Sequence, residues 1–89
     1  MVVHKLKTDS AVFQAVREGK KNFEIRKNDR NFQVGDELWL HETVSTGEEM
    51  AKGVPLEYTG KVIGVTITYI LNGPVYGLAD GWCIMSIAR

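Results

Sequence analysis

Residues 58–71, YTGKVIGVTITYIL, determine the fold class of this 89-residue chain. Eight of these fourteen residues are β-branched valine, isoleucine or threonine. β-Branched side chains lose rotamer freedom in a helix and pack well on the pleated surface of a sheet. The stretch therefore predicts one long β-strand, and Gly60 or Gly64 is the expected position of a bend in it.

Four shorter segments around this strand also predict β-structure, because each has apolar residues at alternate positions or in a short run. The predicted strands are residues 2–7, 23–27, 37–44 and 82–87. Residues 45–55 predict a polar, glycine-containing loop, and a second loop is expected from Asn72 to Gly81.

One helix is predicted near the N-terminus, over residues 9–18. Residues 8–10 at its start, Thr-Asp-Ser, are all good N-caps. Gly19, just after its end, can adopt the left-handed conformation that ends a helix. The apolar stripe of this helix is formed by Val12, Phe13 and Val16. Five strands with one or two helices predict a single α+β domain over residues 1–89, built as a mainly antiparallel barrel of five to six strands.

Composition excludes several protein classes. The chain is 44% apolar and 25% charged, which is typical of a globular protein rather than a disordered one. The single cysteine, Cys83, cannot form an internal disulfide and is expected to be a small buried apolar residue. No apolar run approaches the roughly 20 residues that span a bilayer, and residues 1–7 lack the apolar core of a signal peptide. We therefore expect a cytoplasmic protein with no membrane partner.

Charge is distributed unevenly although the net charge is zero. Eight basic and four acidic side chains give residues 1–30 a net charge of +4, whereas three basic and seven acidic side chains give residues 31–89 a net charge of −4. This asymmetry is consistent with a basic face that attracts phosphates. It is equally consistent with two sequence halves that interleave in the fold, so that their charges average out.

The most specific stretch is residues 19–26, GKKNFEIR. Its spacing, Gly19-x-Lys21-x-x-Glu24-x-Arg26, resembles the signature of the ASCH domain family within the PUA-like superfamily. The wider pattern resembles the DUF3850 group of small bacterial and phage proteins. That pattern consists of His4-x-Leu6-Lys7, residues 19–30, Val34-Gly35-Asp36, Tyr58-Thr59-Gly60 and Gly77-Leu78-x-x-Gly81.

The resemblance implies a PUA-like β-barrel with a cleft beside the Gly-Lys-Glu-Arg strand. In such a cleft the expected ligand is RNA, a nucleotide or a modified nucleoside. Some ASCH relatives resemble amidohydrolases of acylated cytidines, and others have been proposed as ribonucleases. In the acylcytidine hydrolases the motif position of Glu24 carries a threonine, read as the nucleophile. The resemblance therefore favours binding over that chemistry here.

The residues themselves support part of this expectation. In a strand, Glu24 and Arg26 lie on the same face with Cβ atoms roughly 7 Å apart. Glu24 can accept from an exocyclic base amine, and Arg26 can bind phosphate through its planar fork. The alternative is a structural ion pair between Glu24 and Arg26, with Lys21 a solvated cation.

We assign ligand binding to seven residues, namely His4, Lys7, Lys21, Glu24, Arg26, Arg30 and Tyr58. If the protein is a hydrolase of modified nucleosides or RNA, Lys21 and Glu24 are the expected catalytic residues. Among the aromatic residues, Tyr58 and Tyr76 are the better candidates for base stacking, and Trp39 and Trp82 are expected in the core. No spacing typical of a metal or cofactor site is present, so none is expected. A protein-interaction adaptor is a third function class.

Overall fold

The computed structural model describes residues 1–89. Five strands and two helices form in the chain order β1, α1, β2, β3, α2, β4, β5. Their bounds are Val3–Thr8 for β1, Ser10–Arg17 for α1, Phe23–Lys27 for β2, Glu37–Thr43 for β3, Gly47–Ala51 for α2, Tyr58–Asn72 for β4 and Trp82–Ala88 for β5. Every predicted strand is present, and helix α1 lies within the predicted residues 9–18. The mostly β prediction with two helices is therefore confirmed.

The five strands form one curled sheet in the order β1-β3-β4-β5-β2. Strands β3, β4, β5 and β2 pair antiparallel, whereas β1 pairs with β3 in parallel. The two edge strands, β1 and β2, share no backbone ladder. The predicted barrel is thus corrected to a half-barrel with a mixed, mainly antiparallel sheet, because the edges do not complete the ring of strand pairs.

The core lies on the concave side of the sheet. Twelve buried apolar residues form one cluster, to which α1 contributes Phe13 and Val16. Cys83 is among them, as predicted, and burial raises the pKa of its thiol. Val12, the third residue of the predicted stripe, is only partly buried. Neither helix is long and apolar enough to cross a membrane.

The long strand β4 is interrupted by two irregularities. Between His41 and Thr43 of β3 the pairing register shifts, so that residues 59–61 lie opposite a single residue. Gly60 has a φ of 92° there, which glycine adopts without strain, and this agrees with the predicted bend. Gly64 pairs regularly with Trp39 instead. A second shift, between β4 and β5, occurs from Ile67 to Tyr69.

Two further expectations are wrong. The predicted loop 45–55 contains α2, which begins with a capping box in which the Thr46 side chain accepts from the Glu49 backbone and the Glu49 side chain accepts from the Thr46 backbone. Trp39 and Trp82 are not core residues, since 39% and 41% of their surfaces are exposed. Both lie at strand positions that face away from the concave core.

Candidate ligand-binding cleft

A cleft of about 820 Å³ opens where β1 and β2 face each other without pairing, and we call this gap the seam. Residues from β1, β2, α1, α2 and the turn after β2 line it. Small-molecule sites in proteins usually have volumes of about 300–1,000 Å³. The cleft is therefore large enough to hold a ligand of the size of a nucleotide.

Glu24 lies in the wall of the cleft and is only 3% exposed. Its Oε1 accepts from Lys21 Nζ at 3.0 Å, and its Oε2 accepts from Arg26 Nε at 3.3 Å. Lys21 Nζ also donates to the backbone oxygen of Phe23 at 2.6 Å. Because a buried carboxylate is costly unless it is paired, the two cations make the burial of Glu24 possible.

Strand β2 places the charged residues of this cluster by its alternation. Glu24 and Arg26 point to the concave face, while Phe23 and Ile25 point to the convex face and stay about half exposed. Lys21 reaches the same cluster from the segment between α1 and β2. The inner face of β2 is thus the polar one, and the predicted grouping of Lys21, Glu24 and Arg26 is present in the structure.

Arg26 also crosses the seam. Its Nη2 donates to the backbone oxygen of Lys7 at 2.9 Å and lies 3.5 Å from Thr8 Oγ1. Lys7 contributes only its backbone to this contact, so its own ammonium group is left free of the bridge. One guanidinium group therefore joins the two edge strands that backbone hydrogen bonds do not join.

The cleft carries an excess of positive charge. Its lining includes five basic residues, namely Lys7, Lys21, Arg26, Lys27 and Arg30, and three acidic residues, namely Asp9, Glu24 and Asp29. Glu24 is engaged by two of the cations, and Asp9 accepts from the Gly47 backbone at 2.9 Å. Lys7, Lys27 and Arg30 form no ion pair within 4.0 Å. These three cations are available to an anion.

An aromatic side chain borders the cleft. Trp82 begins β5 and pairs with Lys27 at the end of β2, and both residues line the cleft. Trp82 was predicted to lie in the core, but it is partly exposed. It therefore places an aromatic surface next to a cation that has no ion-pair partner. Trp39 lies elsewhere, on β3, with its indole N–H donating to Glu37 at 3.2 Å.

Two residues of the predicted site, His4 and Tyr58, lie outside the cleft lining. His4 is buried, and its Nε2 donates to Asp36 Oδ2 at 2.9 Å, which holds the pKa of that carboxyl below its usual value. The imidazole also packs edge-on against Phe32, with 4.8 Å between ring centroids. Tyr58 is half exposed and contacts His41 edge-on. The remaining five predicted residues, Lys7, Lys21, Glu24, Arg26 and Arg30, all line the cleft.

Sequence reasoning missed a second buried carboxylate, Glu42 of β3. It accepts from Ser10 Oγ at 2.8 Å, from Gln14 Nε2 at 3.0 Å and from Thr59 Oγ1 at 2.8 Å. These hydrogen bonds lower the pKa of Glu42, that of Ser10 most. Glu42 follows Leu38 and Leu40 at alternate positions, and this pattern could have placed it on the inner face.

No group of three or more His, Cys, Asp or Glu side chains converges in the structure.

Comparison with known proteins identifies the family. Residues 3–87 match the family described as Domain of unknown function (DUF3850). A protein of Escherichia phage P2, described as an uncharacterized 12.9 kDa protein in the GpA 3′ region, is 41% identical over 70 residues. The aligned part is 79% of this chain and 55% of the phage protein, so the chain spans about half the length of that relative. The family match covers nearly the whole chain, including both edges of the seam and the Lys21–Glu24–Arg26 cluster. The chain therefore belongs to the DUF3850 family.

Proposed function

We propose that the protein is an ASCH-type, PUA-like domain that binds a nucleotide, free or within RNA, in the cleft at the seam. The observation that carries the proposal is Glu24, a buried carboxylate held between two cations in the wall of a net positive cleft. The half-barrel and the motif spacing from Gly19 to Arg26 support the assignment to this domain type.

The cluster has unused hydrogen-bonding capacity. Each oxygen of Glu24 accepts one hydrogen bond in the structure, and a carboxylate oxygen has two lone pairs. Lys21 Nζ uses two of its three donors, and the Nη1 group of Arg26 has no partner. Glu24 can therefore accept from the exocyclic amine of a base, while Lys21 and Arg26 donate to its acceptors or to a phosphate.

The rim supplies the two other contacts that a nucleotide needs. Lys7, Lys27 and Arg30 can neutralise phosphate charge without first breaking an ion pair. Trp82, beside Lys27, offers an aromatic surface on which a base can stack. Charge, aromatic surface and a buried acceptor thus occur within one cleft.

The test is equilibrium binding of a fluorescently labelled single-stranded RNA octamer, measured by anisotropy at several salt concentrations. If two or three phosphates are neutralised, the logarithm of the association constant falls with the logarithm of salt with a slope of about −2. Arg30→Ala should weaken binding and reduce that slope. The control is Lys61→Ala, which removes an exposed lysine outside the cleft and should leave both values unchanged. Absence of binding at low salt, or equal effects of the two variants, would contradict the proposal.

A hydrolase of modified nucleosides or RNA is the second candidate, because Lys21 and Glu24 form a close pair of titratable groups inside the cleft. We expect no hydrolysis of N4-acetylcytidine, since Glu24 stands at the motif position where the acylcytidine hydrolases carry a threonine. Incubation with N4-acetylcytidine and with short RNA, followed by chromatography, tests this expectation. Release of cytidine or of cleaved strands that Glu24→Gln abolishes in a folded protein would make the cleft an active site.

A further inference from the structure

The loop between β4 and β5 contains a tight turn with an unusual residue. The backbones of Val75 and Leu78 exchange two hydrogen bonds, at 3.1 and 2.8 Å, around the two central residues Tyr76 and Gly77. Both central residues have positive φ, 48° for Tyr76 and 83° for Gly77, as in the turns that close two-residue hairpins. Asparagine, aspartate or glycine normally occupies the first of these positions, because a bulky side chain is strained there.

The tyrosine side chain makes no contribution to the stability of the fold that would offset this strain. The residue is 94% exposed, so almost none of its ring is covered by the protein. An aromatic ring contributes to stability through the area that it buries, and here almost none is buried. A strained conformation that persists without a folding benefit points to a role outside the fold.

The loop that carries Tyr76 is fixed to the rim of the cleft. The Gly73 backbone donates to Trp82 at 2.9 Å, and the Asn28 backbone donates to Gly81 at 2.8 Å. A Cβ atom at Gly73 would overlap the backbone oxygen of Ala79, so the two sides of the loop are in close contact. Both ends of the loop therefore meet Trp82 and the turn that follows β2, which line the cleft.

This attachment limits how far Tyr76 lies from the cleft. Three residues of extended chain span roughly 10 Å, and hydrogen-bonded strand neighbours lie about 5.5 Å apart. The Cα atom of Tyr76 is thus within about 16 Å of that of Trp82. This upper limit is short enough for a few linked nucleotides to reach from Trp82 to Tyr76. Tyr76 does not line the cleft, so a ligand that contacts both must extend beyond the cleft.

We propose that Tyr76 is a base-stacking platform outside the cleft, and hence that the ligand is a single-stranded nucleic acid of several nucleotides rather than a free mononucleotide. The inference rests on the proposed function, because it takes the cleft as the site of one nucleotide. The strand would run from the Lys21–Glu24–Arg26 cluster past Trp82 to the exposed ring of Tyr76.

The experiment compares two probes, the labelled RNA octamer and free mononucleotides used as its competitors, on three variants. Tyr76→Asn removes the ring but suits the turn, so the protein stays folded. Tyr76→Phe keeps the ring, and Tyr69→Thr removes an exposed tyrosine from the convex face of β4 as a matched control. We expect Tyr76→Asn to weaken octamer binding about tenfold and to leave mononucleotide binding unchanged, while Tyr76→Phe and Tyr69→Thr bind as the unaltered protein does.

Two results would overturn the inference while leaving the proposed function intact. One is equal octamer affinity for the Tyr76→Asn and unaltered proteins, and the other is an octamer that binds no more tightly than a mononucleotide. If neither probe binds at low salt, the proposed function fails and the inference fails with it.

Discussion

Two carboxylates with the same 3% exposure, Glu42 and Glu24, lie in different regions of the molecule. Glu42 lies where α1 packs on β3, and every partner of its carboxylate is a neutral hydroxyl or amide group. Glu24 lies at the seam, and its partners are two partly exposed cations that line a cleft. Equal burial therefore does not imply an equal role, since the partners determine whether a buried charge can still meet a ligand.

The comparison separates a closed region from an open one. The partners of Glu42 come from α1 and β4, so its hydrogen bonds fasten a helix to the sheet. The partners of Glu24, Lys21 and Arg26, line the cleft and keep donors that have no partner in the protein. We expect changes at the α1–β3 junction to affect stability without affecting binding, and changes at the seam to affect both.

The largest expected effect is at the junction. Phe13→Ala should lower the free energy of unfolding by about 3–5 kcal/mol, because Phe13 is almost fully buried and the helix cannot collapse into the cavity. Urea denaturation followed by tryptophan fluorescence measures the loss. The fraction that remains folded should bind the RNA octamer with unchanged affinity. A change in that affinity would show that the two regions are coupled.

Arg26→Ala should have the next largest effect on stability, about 1–3 kcal/mol, since it leaves Glu24 with one cation and removes the bridge to β1. In Arg26→Ala, backbone amides of β1 and β2 should exchange with deuterium faster than they do in the unaltered protein. The exchange of amides in β3 and β4 should change less. Lys7→Ala is the matched control, because Lys7 provides only its backbone oxygen to the bridge. If Lys7→Ala destabilises the protein as much as Arg26→Ala does, the seam is not held by this contact.

Acid should lower the stability of the folded protein through two buried carboxylates, Asp36 and Glu42. The folded-state pKa values of Asp36 and Glu42 lie below the ordinary values of 3.8 and 4.5, because their hydrogen-bond partners favour the charged form. Their contribution to stability is fully present above those ordinary values and is lost as pH falls through the folded-state values. The melting temperature should therefore be steady from pH 7 to about pH 5 and fall below that. Glu42→Gln should reduce the fall, and an equal fall in this variant would contradict the prediction.

The smallest effect concerns the reactivity of Cys83, which pairs with Arg26 across β5 and β2. Burial raises the pKa of its thiol, so little reactive thiolate is present near neutral pH. Alkylation by iodoacetamide, followed by mass spectrometry, should be very slow in the unaltered protein. It should be faster in Arg26→Ala than in Lys7→Ala, because only the first variant loosens the seam. Rapid alkylation of the unaltered protein would mean that β5 is less protected than the structure indicates.

The sequence predicted the strands and α1 because these depend on local alternation and capping. It did not reveal which way β2 faces, since Phe23 and Ile25 are the apolar pair and would ordinarily point inward. Glu24 and Arg26 point inward instead, because Lys21 and the β1 backbone satisfy their charges. Lys21 lies only three residues before Glu24, but the Lys7 backbone is 19 residues from Arg26, and a contact at that separation cannot be read from a local pattern. The capping box of α2, Thr46-x-x-Glu49, was readable from the sequence, and it was missed within a polar segment.

The parallel pairing of β1 with β3 and the open seam also depend on long-range contacts. Alternation fixes which residues share a face, but it does not fix strand order or direction. Five of the predicted site residues line the cleft. His4 does not, because it is buried and its side chain is hydrogen-bonded to Asp36. The exposure of Trp82 follows from the alternation of β5, in which Cys83 faces the core and Trp82 faces away from it.

The bridge from Arg26 to Lys7 is the contact that joins the two edges of the half-barrel. In a closed barrel, separating two neighbouring strands breaks a whole ladder of backbone hydrogen bonds. Here the hydrogen bonds between β1 and β2 are those of the Arg26 guanidinium with the Lys7 backbone oxygen and with Thr8 Oγ1, and none of the four strand pairings includes them. One arginine side chain thus stands where a closed barrel has a ladder of backbone hydrogen bonds, and the strand pairings of the sheet do not depend on it.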